Sequence, residues 1–268
     1  MNYLYRFLRF NRRGNRLTDW EDERLKRIFT QSELYFASPM KLNDPFDCKT
    51  LFTFEGSDKV DFWKFFYGMV RHKFPNYSEK ETKKEVDSLI QQKLHNDPQK
   101  RKAQIETWLK ILLSENAKLG MLCLTRKRDD ILMWSHYADG HTGFCLEFDK
   151  EGLKSWNFCA PVRYRKSYPT FKESVNYPYE LHRLFLLRKS DDWKYEKEWR
   201  IIVNCEIPSN RYLRFLEQLL TGVILGCQMP KKNKDMICRW AESRKIPPKL
   251  YQSNKNESEY RLIIEEIK

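Results

Sequence analysis

The chain has 268 residues, 50 of them Lys or Arg against 37 Asp or Glu, for a net charge of +13. Hydrophobic residues make up 41% and aromatics 15%, with only nine glycines, which excludes disordered and fibrous classes. A chain of this length can bury about three-quarters of its unfolded surface, and no apolar run approaches the ~18 residues a membrane span needs.

The seven cysteines are an odd, scattered set without a CxxC pair, which fits a reducing cytoplasm better than a disulfide framework or a zinc site. The opening, MNYLYRFLRFNRR, mixes aromatics with arginines and lacks the apolar stretch of a secretion signal. The expected location is therefore cytoplasmic, with no membrane partner. The positive surplus draws polyanions, so the expected partner is an acidic macromolecule, nucleic acid among the candidates.

Taken in chain order, Tyr3–Phe10 reads as a strand and Thr18–Phe29 as a helix. Thr18 is its cap, and Glu21 three residues on completes a capping-box pattern. Glu33–Ser38 is a strand stopped by Pro39, followed by turn chemistry at Asn43-Asp44-Pro45. From about 59 to 118 the composition shifts to Lys, Glu, Gln and Asp with spaced apolar residues. Phe62, Phe65, Phe66 and Met69 recur at helical intervals, as do Ile105, Trp108, Leu109 and Leu112. This predicts a helical insertion of two or three helices, broken near Pro75 and Pro98.

Strands return at Met121–Thr125, Thr142–Asp149 and Ala160–Tyr164. A helix is expected at Leu181–Leu187, then strands at Glu198–Asn204 and Val223–Leu225. Asn233–Ser243 reads as a helix, and Leu250–Gln252 and Tyr260–Ile264 as final strands. Strands and helices without regular alternation predict an α+β fold with a mixed, largely antiparallel β core. The expected organisation is one domain, 1–268, carrying the insertion.

Three segments could carry chemistry. In WKYEKEWRIIV, read as a strand from Trp193 to Val203, Glu196, Glu198 and Arg200 share one face. Two neighbouring carboxylates can divide labour, one steadying positive charge and the other handling a proton. A solvated edge with Arg200 screening the acids is the plainer reading.

In ILMWSHYADGHTGFCLEFD, Trp134, His136, Tyr137 and His141 gather before a strand. His136 could act as a general acid or base, and Trp134 and Tyr137 could stack on a ring or belong to the core. The spacing of His136 and His141 is not that of a zinc hydrolase, and no metal is expected. In LYFASPMKLNDPFDC, Ser38 ends an apolar strand, while Asn43, Asp44 and Asp47 could hold a ribose or bond their own turn. Dinucleotide, P-loop, zincin and hydrolase-elbow signatures are absent.

The strings LYRF, ELYFASPMKLNDPFDC, ILMWSHYADGHTGFCLEFD, WKYEKEWRII and TGVILGCQMP, in that order, resemble a bacterial family known as domain of unknown function 2971. The chain is also similar to ADP-ribosyltransferases of the arginine-serine-glutamate type. Arg6 in LYRF, Ser38 in YFAS and Glu196 with Glu198 in EKE follow that family's order, although FASP stands where the family has a fuller STS.

The likeness implies a split-sheet fold and NAD as substrate. By it Arg6 supports the phosphate and ribose region, Ser38 orients the catalytic Glu198, and Glu196 serves the acceptor. His136, Tyr137, Trp134, Asn43 and Arg200 are the candidate pocket residues. Such a protein would transfer ADP-ribose or hydrolyse NAD, with a toxin or defence role among its possible settings. Two other readings stand beside it. One is a non-catalytic nucleic-acid-binding module. The other is a magnesium-dependent nuclease using Glu147, Asp149 and Glu196.

Overall fold

A computed structural model of the chain describes residues 2–10, 12–13, 16–17, 19–48, 59–93, 99, 103, 118–169, 185–205 and 210–267. The fold is α+β and divides into two compact units, described separately. The first comprises Met1–Ala37, Gly120–Val162 and Lys194–Lys268; the second comprises Ser38–Leu119 and Arg163–Trp193.

The first unit is built on an eight-stranded, mostly antiparallel sheet. Its strands are β1 (Tyr3–Leu8), β5 (Leu119–Thr125), β6 (Phe144–Asp149), β7 (Cys159–Pro161), β10 (Glu198–Asn204), β12 (Leu220–Leu225), β13 (Lys249–Lys255) and β14 (Leu262–Glu266). They lie in the order β14-β13-β12-β6-β1-β5-β10-β7. β1 pairs antiparallel with both β6 and β5, whereas β12 and β13 run parallel. The connection between that parallel pair contains helix α6 (Lys231–Glu242), as parallel neighbours require a crossover. The remaining short strands of this unit are β2 (Arg12–Arg13) with β3 (Arg16–Leu17), and β4 (Glu33–Tyr35) with β11 (Tyr212–Arg214).

Alternation of side chains gives the sheet two unlike faces. Leu4 and Leu8 of β1, Phe144, Leu146 and Phe148 of β6, and Ile201 and Val203 of β10 enter the larger core. That core is closed by α1 (Asp19–Thr30) through Leu25, Ile28 and Phe29, by α5 (Lys150–Trp156) through Leu153, and by α6 through Ile237 and Ala241. Asp149 starts α5 as its N-cap, accepting from the Gly152 N–H at 2.8 Å.

The other face carries Tyr5, Phe7, Cys145 and Ile224 beneath helix α4 (Ile131–Tyr137), which contributes Met133 and Trp134. Asp130 caps α4 by accepting from the N–H groups of Leu132 and Met133. Gly143 and Gly226 let the turn after α4 lie backbone against backbone: a Cβ on Gly143 would stand 2.1 Å from the Leu8 carbonyl oxygen, and one on Gly226 2.1 Å from that of His141.

In the second unit, α2 (Lys59–Lys73) packs on α3 (Glu79–Lys93), and Phe66 and Val70 of the first and Val86 of the second are buried. Ser78 and Glu81 form a reciprocal capping box at the start of α3. Strands β8 (Arg163–Arg165) and β9 (Arg188–Ser190) pair in parallel.

The first part of the expected helical insertion is present as α2 and α3, with the break near Pro75 between them, while the break near Pro98 lies outside the described residues. Thr18, the group Ile105 to Leu112 and the first part of the Leu181–Leu187 helix lie outside the described residues. The described end of that last segment, Phe185 and Leu186, is helical and leads into β9. Two helices were not expected, α4 and α5, because each is only seven residues long and too short to show a periodicity. The single strand expected at Ala160–Tyr164 is two: Val162 interrupts it, its N–H donating to the Glu198 carbonyl at 2.9 Å. Among the described residues no helix is long and apolar enough to cross a membrane.

Candidate functional site

The buried charge of the first unit concentrates where β10 begins. Glu196, Glu198 and Arg200 are 3%, 5% and 0% exposed, and burial on that scale is tolerated only when charges are paired. Arg200 meets Glu198 with both ends of its fork, Nε to Oε1 at 2.8 Å and Nη2 to Oε2 at 3.1 Å, the strong bidentate geometry.

The chain does not reach this point as one strand. A short 3-10 helix, Asp191–Glu196, ends at Glu196, Lys197 takes a left-handed φ of 47°, and β10 starts only at Glu198. The expectation that Glu196 shares a strand face with Glu198 is therefore corrected: the turn at Lys197, not strand alternation, brings the two carboxylates inward. Thr125 at the end of β5 holds the turn by donating its hydroxyl to the Glu196 carbonyl, and the Arg126 N–H donates to that of Lys197 at 3.4 Å.

Tyr137, at the end of α4, donates its hydroxyl to Glu196 Oε1 at 2.6 Å. Burial first, then the adjacent Glu196 carboxylate, pushes the phenol far above its ordinary value, so it stays a proton donor. Cys123 of β5 bonds Glu198 through its thiol, and burial, reinforced by the Glu198 charge, raises that thiol well above the ordinary range.

Arg6 donates from Nη1 to the backbone carbonyl of the same Cys123 at 2.6 Å. Burial lowers its pKa, while Cys123 and Glu198 act in the opposite direction. Arg6 leaves β1 on the side of Leu4 and Leu8, whereas Glu198 and Arg200 leave β10 opposite Trp199, Ile201 and Val203, which belong to that same larger core. The arginine and the carboxylate thus occupy opposite faces of the sheet and meet electrostatically through β5.

The other expected residues are more dispersed. Trp134 is fully buried, donates from Nε1 to the Arg128 carbonyl at 2.8 Å and packs edge-on against Phe7 at 5.0 Å. Its place is that of a core ring, with no face open for stacking on a ligand. His136 is exposed on α4. His141, at a φ of 69°, stacks on Trp134, and burial lowers its pKa. Ser38 is buried and Asn43 exposed, and both belong to the second unit. Ser38 heads a single 3-10 turn, Pro39–Lys41, its carbonyl accepting from the Lys41 N–H. Asp44 closes its own turn by accepting from the Phe46 N–H at 2.8 Å.

Of the carboxylates considered for magnesium, Asp149 is the α5 cap and Glu147 accepts from Tyr5 at 3.2 Å and Thr221 at 3.0 Å. Among the described residues no group of three or more His, Cys, Asp or Glu is placed to hold a metal.

Sequence reasoning passed over Cys123, Thr125 and the loop that follows. Arg126, Lys127 and Arg128 border an open cleft of about 590 Å³ whose wall includes Tyr3 and Tyr5. The signal was available in period two, since Cys123 and Thr125 alternate with the core residues Leu122 and Leu124.

Residues 133–201 match the model of a family described as a protein of unknown function, DUF2971. This segment runs from α4 to β10 and holds Tyr137, Glu196, Glu198 and Arg200. No curated protein and no solved structure matches the chain.

Proposed function

We propose that the chain is an NAD-using transferase of the ADP-ribosyltransferase kind, or an NAD glycohydrolase, with Glu198 as the carboxylate at the reacting ribose. The observation that carries this reading is the buried Glu196–Glu198 pair, each acid held by its own donor at the start of β10, the strand next to the sheet's β7 edge. Breaking the nicotinamide–ribose bond builds positive charge on the sugar, which a preorganised carboxylate stabilises. An ionised carboxylate offers about four acceptor positions. Arg200 uses two of them, so the charge that would face the sugar is fixed in place before the substrate arrives.

Glu196, fixed by Tyr137, would serve the acceptor side. The cation next to the reacting carboxylate in this reading is Arg200, and Arg6 acts through β5 as a positioning residue. Ser38 enters only by resemblance.

The test is nicotinamide release from NAD by the purified chain, alone and with RNA, DNA or cell lysate as acceptor. Release that vanishes in Glu198→Gln supports the assignment; release that persists in that variant, or none under any condition, sinks it.

A second reading, a nucleic-acid-binding module, is favoured by one observation. The cations at 126–128 sit on a loop pinned from both flanks, by Thr125 to the Lys127 N–H at 3.0 Å and by Trp134 to the Arg128 carbonyl. It predicts binding to single-stranded oligonucleotide that weakens steeply with salt and is unchanged in Glu198→Gln.

A further inference from the structure

The second unit holds a pocket of its own, of about 460 Å³, within the range that takes a small-molecule ligand. It opens where β8 and β9 end. Because the two strands are parallel, with Arg163 opposite Arg188 and Arg165 opposite Ser190, both finish at the same edge. Residues 166–169 and 192–193, which follow the two strands, line the pocket.

Its lining joins two chemistries. Arg165, Lys166 and Lys189 supply positive charge, and Tyr168, Phe185 and Trp193 supply flat apolar surface. Lys189 is the built part of the site. Its side chain is only 7% exposed, with Nζ 4.8 Å above the Trp193 ring and 4.0 Å from Asp47 Oδ2. Asp47 also accepts from the Cys48 thiol at 3.2 Å, and Cys48 is held at a φ of 59°, a strained conformation for a residue with a side chain.

Arg188 fastens the rim rather than facing a ligand: its guanidinium donates to the carbonyls of Ser167 at 2.8 Å and Tyr168 at 3.3 Å. The two acids of the lining are engaged locally. Asp192 accepts from the Ser190 hydroxyl at 2.5 Å, and Asp44 from the Phe46 N–H. Tyr168, 42% exposed, stands beside Lys166 at the mouth.

We propose that this pocket binds a mononucleotide-like ligand, a flat heterocycle carrying phosphate. The ring takes the aromatic wall through stacking, and the phosphate takes the Arg165, Lys166 and Lys189 side through charge-assisted hydrogen bonds. A ligand with both parts matches the whole lining, whereas an apolar ligand or a bare anion would use only one side of it. The inference is independent of the transferase reading and uses none of its residues.

The experiment is calorimetric titration of the full chain with AMP, and separately with adenosine and with inorganic phosphate. AMP should bind at least tenfold more tightly than either half. Lys166→Ala and Tyr168→Ala, both at the mouth and harmless to the core, should each weaken AMP about tenfold, while Glu198→Gln leaves AMP binding unchanged. Lys189→Met should weaken it further, but it strands Asp47 and is read only alongside a thermal melt. Adenosine or phosphate binding as tightly as AMP overturns the proposal. So does AMP binding that survives both mouth substitutions, AMP binding lost in Glu198→Gln, or no AMP binding at millimolar concentration.

Discussion

The two faces of the first unit's sheet are made by the same strands and differ in almost everything else. One face is a continuous apolar core under three helices, in which Phe148 and Phe215 meet edge-on at 5.6 Å. The other face has the short helix α4 over it and carries Tyr5 on Glu147, Tyr137 on Glu196, and Glu198 on Arg200. The first face buries mostly apolar side chains, with Arg6 and Arg244 among them, whereas the second buries carboxylates together with the groups that hold them. Charges are costly to bury even when paired, and groups of this kind concentrate at functional sites.

The largest losses are expected from one residue on each face. Phe148→Ala should cost about 3–5 kcal/mol, the range for deleting a fully buried aromatic, read as a lower urea midpoint. Next is Arg200→Ala. It leaves Glu198 buried without its partner, and such truncations cost about 3–5 kcal/mol. Adding Glu198→Gln should restore part of that loss, so the double variant is less destabilised than the sum of the singles. Phe148→Ala combined with Glu198→Gln should simply add.

Tyr137→Phe has a smaller expected effect, about 1.5–3 kcal/mol for removing one hydrogen bond to a charged group, with a distinctive pH signature. The phenols of Tyr137 and Tyr5 are raised above their ordinary value chiefly by burial and next by Glu196 and Glu147. As pH climbs past about 10, the unfolded chain releases phenolic protons that the folded chain keeps. Stability therefore falls with rising pH, and Tyr137→Phe should make that fall shallower in urea melts between neutral and alkaline pH. The smallest effect is expected at the rim. Replacing Arg126, Lys127 and Arg128 with alanine should move stability by no more than about 0.5 kcal/mol per residue. The same change should flatten the salt dependence of any oligonucleotide binding.

Much of the scaffold was legible in the residues themselves. The strands from Met121 to Thr125 and from Glu198 to Asn204 carry local apolar patterns that burial reinforces, so they were readable without partners. The Gly-rich approach at Gly143 and the Asp caps of α4 and α5 are local too, yet those helices went unread because seven residues show barely two turns. The candidate site was legible in part: Glu196, Glu198, Arg200 and Tyr137 were singled out, and they do converge. The sequence around Trp134 fits an open platform or a core ring equally, and only its burial against Phe7 decides between them. The strand expected through Glu196 failed at Lys197, where a left-handed residue resets the alternation.

Short-range facts belong to the residues alone: the apolar patterns of the strands at 121–125 and 198–204, the turn chemistry at Asn43-Asp44-Pro45, and the EKE string ahead of an apolar strand. These depend on neighbours a few residues apart, whose conformational preferences are fixed by covalent geometry and side-chain shape. Only the tertiary structure decided that Cys123 stands between Arg6 and Glu198, that those two side chains leave opposite faces, and that β8 and β9 end together beside Lys189. Those facts depend on which strands become neighbours and in what register. That choice is made by the burial of whole faces, to which no single window of the chain has access.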